Sequence, residues 1–303
     1  MSVPDHTAGE HALLAAPTFE GKTLQPNTVA QGIGLDLPAP PVEMEANLTA
    51  AWAFTGFCLG MFVLVSIWAL WMAAARREWI PIALLAGGAL CGFGEPLGDI
   101  LGLTWYPVDT PLIAFTWLGR VIPLYVPLGE AMFIALGGYG VYKMLQLGTP
   151  PKRLLGIMAA FALLDAVMEI AAAQSGVYVY YGNNPSLIFG LPAYVIIQNG
   201  GMSIVVGWAA YFATRNSPKM ALALPFAIPC LYGAYAFGCT WMVYTAINAD
   251  APTYISAPLV VVSLVTNFTV PYLLVKFSTR DTSENTHTAT HEVDDRKAVV
   301  ADI

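Results

Sequence analysis

Apolar residues in this chain come in long unbroken blocks, not in the alternation of a half-buried strand or the stripe of a soluble amphipathic helix. Seven blocks stand out, at about 51–75, 80–103, 123–145, 154–174, 187–214, 220–247 and 255–277. At about 1.5 Å of rise per residue, blocks of about 20 residues cross a hydrocarbon layer of about 30 Å as helices. Lipid offers no partner to stray backbone groups, so repeated spans must be helices packed on one another. The pattern predicts an all-α polytopic membrane bundle of about seven transmembrane helices. It divides the chain into a polar tail (1–47), a helical membrane domain (48–277) and a polar, disordered tail (278–303).

The polar positions between the blocks give an orientation. Arg76 and Arg77 follow the first block, Lys143, Lys152 and Arg153 the third, Arg215 and Lys219 the fifth, and Lys276 and Arg280 the seventh. The alternate connections at 176–186 and 248–254 hold no Lys or Arg, and Arg120 alone breaks the alternation. Basic connections face the cytoplasm, so the N-terminus is expected outside and the C-terminus in the cytoplasm. That reading makes 1–47 an extracytoplasmic tail and the protein a multi-pass resident of a cell membrane, the inner membrane if the cell is bacterial. The stretch 105–121, with Pro107, Asp109, Pro111 and Arg120, reads as a loop or a short interfacial helix.

Composition sharpens this picture. The 303 residues are 57% hydrophobic and 11% charged, with a mean hydropathy of +0.61, where a soluble domain carries roughly 25% charged residues. The net charge of −7 falls largely in the tails, and no basic patch supports nucleic-acid binding. The four cysteines lie inside apolar blocks and read as small buried hydrophobes. All four histidines (His6, His11, His287, His291) lie in the tails, which argues against a haem, di-iron or zinc site among the helices. The last block has no mid-span lysine for a retinal Schiff base, and no nucleotide-binding motif is present. The expected partners are the lipid bilayer and a lipophilic small molecule, with no cofactor and no metal.

Against this background the carboxylates inside the blocks stand out, because an ionisable group at membrane depth is costly and marks function by default. There are five: Glu95 and Asp99, Glu130, Asp165 and Glu169. Both pairs are spaced i, i+4 and so project from one helix face. From the helical rise, Glu95, Glu130 and Glu169 fall in one layer of the outer half of the membrane, as a shared polar cavity would require. Carboxyl groups crowded in such a cavity divide between protonated acids and charged bases, which suits proton transfer to an alkene, enol ether or carbonyl. Trp105, Tyr106, Tyr178, Tyr181 and Asn183 follow the acidic pairs toward the outer mouth, and Asn199 is placed to orient them. These are the expected substrate contacts, and aromatic faces there would stabilise a cationic intermediate. Gln198 and Asn267 could line the same space. The plainer readings are helix capping for single acids, an interfacial belt for the aromatics, a simple kink at Gly94–Pro96, and close helix packing for Gly137, Gly138 and Gly140.

The segments bearing these acids resemble the avermectin-type spirocyclase (AveC-like) family of actinobacterial membrane proteins. The likeness rests on Glu95-Pro96-Leu97-Gly98-Asp99 with Trp105-Tyr106-Pro107, on Val121-Ile122-Pro123-Leu124-Tyr125-Val126-Pro127, and on Asp165 and Glu169 followed by Gly176-Val177-Tyr178 and Tyr180. It spans roughly 85–207, and the carboxylate-Pro loop is poorer in Asn and Phe than the family pattern. The resemblance implies acid-catalysed cyclisation. Together with the residue chemistry it leads to the expectation of a membrane-embedded cyclase or isomerase acting on a polyketide- or terpenoid-like substrate. Glu169 and Asp165 would form its central acid–base pair, Glu95 and Asp99 the facing pair, with Glu130 tuning them. A proton-coupled transporter of a small lipophilic compound and a non-catalytic accessory subunit are the alternatives.

Overall fold

The computed structural model describes residues 38–301 and a short strand pair, β1 (Thr18–Phe19) with β2 (Lys22–Thr23); side chains are described from 38 to 278. Most of the tail at 1–47 therefore lies outside the described residues. Each of the seven apolar blocks contributes helix, and the protein is an all-α, multi-pass membrane bundle. Helix α1 runs Leu48–Arg76. The second block divides into α2 (Ile80–Cys91), a 3-10 turn (Gly92–Gly94) and α3 (Glu95–Gly102). Then follow α4 (Tyr125–Gln146), α5 (Pro151–Gln174), α6 (Ala193–Thr214), α7 (Leu224–Asn248) and α8 (Thr253–Ala301). Six helical stretches are long and apolar enough to cross a membrane. The exception is α4, which carries Glu130 and Lys143 and is rich in Gly and Tyr. It is shielded by packing against α1, α2 and α6.

Local chemistry sets the ends. Asn47 caps α1, its Oδ1 accepting from the Ala50 amide at 3.3 Å. At the other end Arg77 adopts φ 54° and the Glu78 amide returns to the Met72 carbonyl, a left-handed stop. Pro96 has no N–H to continue the ladder from α2, and the chain tightens into the 3-10 turn that re-aims Glu95. The last helix is continuous to Ala301, where composition alone suggests a disordered tail. That stretch contains no Gly or Pro to end a helix.

Two segments depart from expectation. The stretch 105–121 is a loop from Tyr106 to Leu112, and beyond it β4 (Ile113–Trp117) pairs with β5 (Arg120–Pro123) in an antiparallel hairpin. Its two-residue turn puts Leu118 at φ 52° and Gly119 at φ 72°, the left-handed pair that matches strand twist. The fifth block is helical only from Ala193, because β7 (Leu187–Ile188) and β8 (Leu191–Pro192) form a second such hairpin through Phe189 and Gly190. A third pair, β3 (Thr104–Trp105) with β6 (Val179–Tyr180), ties the α3 exit to the α5 exit. All three lie at the end of the bundle that the charge pattern assigns to the outside. Residues 38–47 lie against these connections, with the Ala46 amide donating to Asp109 Oδ1 (2.9 Å) and the Asn47 amide to the Gly176 carbonyl (3.3 Å).

Candidate functional site

The helices enclose a cavity of about 320 Å³. Glu95 and Asp99 reach it from α3, Glu130 from α4, and Asp165 and Glu169 from α5. Both i, i+4 pairs therefore turn their shared face inward, and all five carboxyl groups open onto one space.

Packing of small residues sets how closely the helices hold them. At Gly88 of α2 a Cβ would lie 2.7 Å from the Glu130 carbonyl oxygen, so only glycine allows α2 this near to α4. Gly200 does the same between α6 and α5, where a Cβ would lie 2.7 Å from the Met158 carbonyl. That approach brings the neighbouring Asn199 within reach of the α5 acids.

The hydrogen bonds divide the acids into two clusters. In the first, Glu169 Oε2 accepts from Tyr178 Oη (2.9 Å) and Tyr180 Oη (3.1 Å), and its Oε1 accepts from Asn199 Nδ2 (2.8 Å). The same Nδ2 donates to Asp165 Oδ2 at 2.6 Å. An amide nitrogen has two hydrogens, one for each acid. Four hydrogens thus point at the first pair. In the second cluster, Tyr232 Oη of α7 lies 2.9 Å from Glu95 Oε1 and 3.4 Å from Glu130 Oε1. One phenol hydrogen faces two carboxyl groups, so both contacts are hydrogen bonds only if one carboxyl supplies a proton of its own.

Asp99 stands apart. Its side chain is buried, and Oδ2 has no hydrogen-bond partner within the protein. Among the described residues the cavity wall contains no Lys, Arg or His.

The strand pair β3–β6 decides which aromatics reach the cavity, because successive side chains on a strand alternate in direction. Thr104, Tyr106, Tyr178 and Tyr180 line the wall. Trp105 and Tyr181 point away. Both pack on Arg120, whose guanidinium lies 5.1 Å from the Trp105 ring centre, with Nη2 donating to Tyr181 Oη (2.7 Å) and Nη1 to the Thr104 carbonyl (3.3 Å). Asn183 is exposed on the connecting turn. Of the expected substrate contacts, then, Tyr106, Tyr178 and Asn199 are on the cavity, while Trp105, Tyr181 and Asn183 are not. Gln198 lines it and Asn267 does not; Asn267 instead donates to Thr240 Oγ1 (3.0 Å) between α7 and α8.

Tyr125, quoted in the resemblance without a role, reaches the wall, as do three tyrosines the sequence reading did not single out, Tyr194, Tyr232 and Tyr244. A signal was available for the last two, since a tyrosine well inside an apolar span needs a partner for its hydroxyl. Burial holds the phenols of Tyr106, Tyr178 and Tyr180 well above their usual pKa. They therefore stay protonated and available as donors.

These features define a class: a multi-pass helical membrane protein with a carboxyl-lined cavity inside the bundle. No family model, curated protein or solved structure matches the chain.

Proposed function

We propose that the cavity is the active site of a cofactor-independent cyclase or isomerase acting by acid–base catalysis on a lipophilic, polyketide- or terpenoid-like molecule in a cell membrane. The observation that carries this reading is the unequal supply of hydrogens to the two acid clusters. The pair with four hydrogens aimed at it, Asp165 and Glu169, is built to hold negative charge. Glu169 is the base. The pair with a single shared hydrogen, Glu95 and Glu130 about Tyr232, must retain a proton to satisfy its own contacts. That pair is the acid.

In this scheme Glu95 or Glu130 protonates a carbonyl, enol ether or alkene of the substrate. A bond forms internally at the resulting cationic carbon, and Glu169 removes a proton from the product side. Tyr106, Tyr178 and Phe237 offer ring faces to the cation. The proton returns from Glu169 to the acid pair across the emptied cavity. These steps conserve every atom, so the product is an isomer of the substrate; where the protonated group is a hydroxyl whose C–O bond then breaks, the product is lighter by the one water released. The resemblance of the same carboxylate segments to a spirocyclase-type family points to the same chemistry.

The test compares lipid-soluble metabolites from a deletion strain carrying either the wild-type protein or Glu169→Gln, by mass spectrometry. We expect a precursor to accumulate with Glu169→Gln and to be cleared by wild type, with turnover down by about 10²–10⁴, the usual contribution of a general base. Full clearance by Glu169→Gln removes Glu169 from the mechanism. Unchanged chemical species with altered partition between cells and medium would replace catalysis by transport.

A further inference from the structure

The lining of the cavity reaches the outside of the bundle among α1, α4 and α5. Phe57 of α1, Leu136 of α4 and Leu164 of α5 line it, yet are 45%, 37% and 56% exposed. These three side chains belong both to the cavity and to the outside of the bundle, so the cavity emerges where they meet. Here α1 and α5 scarcely touch. Half-buried Met61, Phe133, Phe161 and Met168 continue the apolar lining inward.

The depth of the opening determines what it faces. Phe57 is nine residues from the outer end of α1, Leu136 eleven from that of α4 and Leu164 ten from that of α5. At the helical rise these are about 13–17 Å from the helix ends, near the middle of a hydrocarbon layer of about 30 Å. The watery end is covered instead. Strands β3 and β6 cross it, Arg120 is sealed between Trp105 and Tyr181, and Pro38 lies against Gly182.

We propose that the cavity opens sideways into the bilayer through a portal between α1 and α5 and takes its ligand, an uncharged lipophile dissolved in the hydrocarbon phase, from the lipid. The proposal rests on the cavity being the functional site and names the phase from which its substrate comes. A water-borne, charged substrate would have to lose its hydration before reaching this mouth; a lipid-dissolved one enters with its apolar surface already buried.

The test needs no turnover. The full chain in lipid vesicles is treated with dicyclohexylcarbodiimide, which dissolves in hydrocarbon, or with a water-soluble cationic carbodiimide. A carboxylic acid adds across one C=N bond of the reagent, and the O-acyl product rearranges to a stable N-acylurea that retains every atom. Mass spectrometry of peptides locates the adduct. We expect the apolar reagent to mark Glu95 or Glu130, the cavity acids that retain a proton, and the water-soluble one to leave both intact. Leu164→Trp combined with Phe57→Trp should slow the apolar labelling about tenfold by filling the mouth, equivalent to about 1.4 kcal/mol of barrier. Leu163→Trp, 67% exposed on the same helix but off the cavity, should not change it. Either single tryptophan variant, checked by its thermal transition, serves if the double one does not fold. Equal labelling by the water-soluble reagent, no labelling by either, or an unchanged rate in the plugged variant overturns the portal. Each arm is independent of Glu169→Gln metabolite turnover, so failure of the catalytic reading is seen separately.

Discussion

Asn199 allows the sharpest test of the site's construction, because one side chain on α6 bonds two acids on α5. Asn199→Leu keeps the approximate volume and removes both hydrogens. Two bonds are lost, at 2.6 Å to Asp165 and 2.8 Å to Glu169. Polar contacts between membrane helices average about 0.6 kcal/mol each, which gives about 1 kcal/mol for two. Hydrogen bonds to charged groups give about 1.5–3 kcal/mol each, or about 3–6 kcal/mol. Glu169 keeps Tyr178 and Tyr180, which lowers the loss. Asp165 loses its amide donor and is left with its carboxyl contact to Glu169 one turn away, which raises it. We expect Asn199→Leu to cost about 2–4 kcal/mol. Reversible unfolding in bilayer-like discs or mild detergent measures this, and a double-mutant cycle with Asp165→Asn isolates the pair. The cycle should show coupling above about 0.5 kcal/mol, the usual limit of additivity for independent sites. A cost below that limit, or strict additivity, would refute the proposed clamp between α5 and α6.

Two further outcomes follow from the packing and from the phenols. Gly200→Ala would place its Cβ 2.6 Å from the Ala162 Cβ and 2.7 Å from the Met158 carbonyl; we expect about 1–3 kcal/mol of destabilisation from overpacking, and unaltered thermal stability would show that α5 and α6 are not in close contact there. Tyr106, Tyr178 and Tyr180 titrate above their usual range when folded, chiefly because they are buried, so above pH of about 10 the unfolded chain gives up phenol protons that the folded chain keeps. Their contribution to stability is full below that pH and lost as pH rises beyond it, and unfolding free energies measured across the alkaline range should fall less steeply in Tyr178→Phe; a rise in stability there would contradict their burial.

The five acids were legible from sequence because each breaks an apolar block, and a charge in lipid is too costly to be idle. Their shared inward faces followed from the i, i+4 spacing, which is a property of the helix alone. The contacts at the outer end were not legible in the same way. Trp105 and Tyr106 are adjacent and similar in chemistry, yet β3 sends one to Arg120 and the other to the cavity. The pairing that fixes this joins Thr104 to Tyr180 across more than seventy residues. A run of Gly, Leu and Trp such as 117–119 fits a loop as well as a hairpin until β4 and β5 are seen to pair.

Hydrophobic block length alone determined that this chain makes membrane helices, because the bilayer imposes one length and backbone hydrogen bonding one conformation. Which helix lies against which, how each is rotated, and hence that Tyr232 of α7 comes between Glu95 of α3 and Glu130 of α4, were decided only in the folded bundle. In lipid, apolar surface has little reason to prefer one neighbour over another, so the choice falls to close fits such as Gly88 on α4 and Gly200 on α5 and to interhelical hydrogen bonds. Those are relations between residues far apart in the chain, and they exist only once the helices have met.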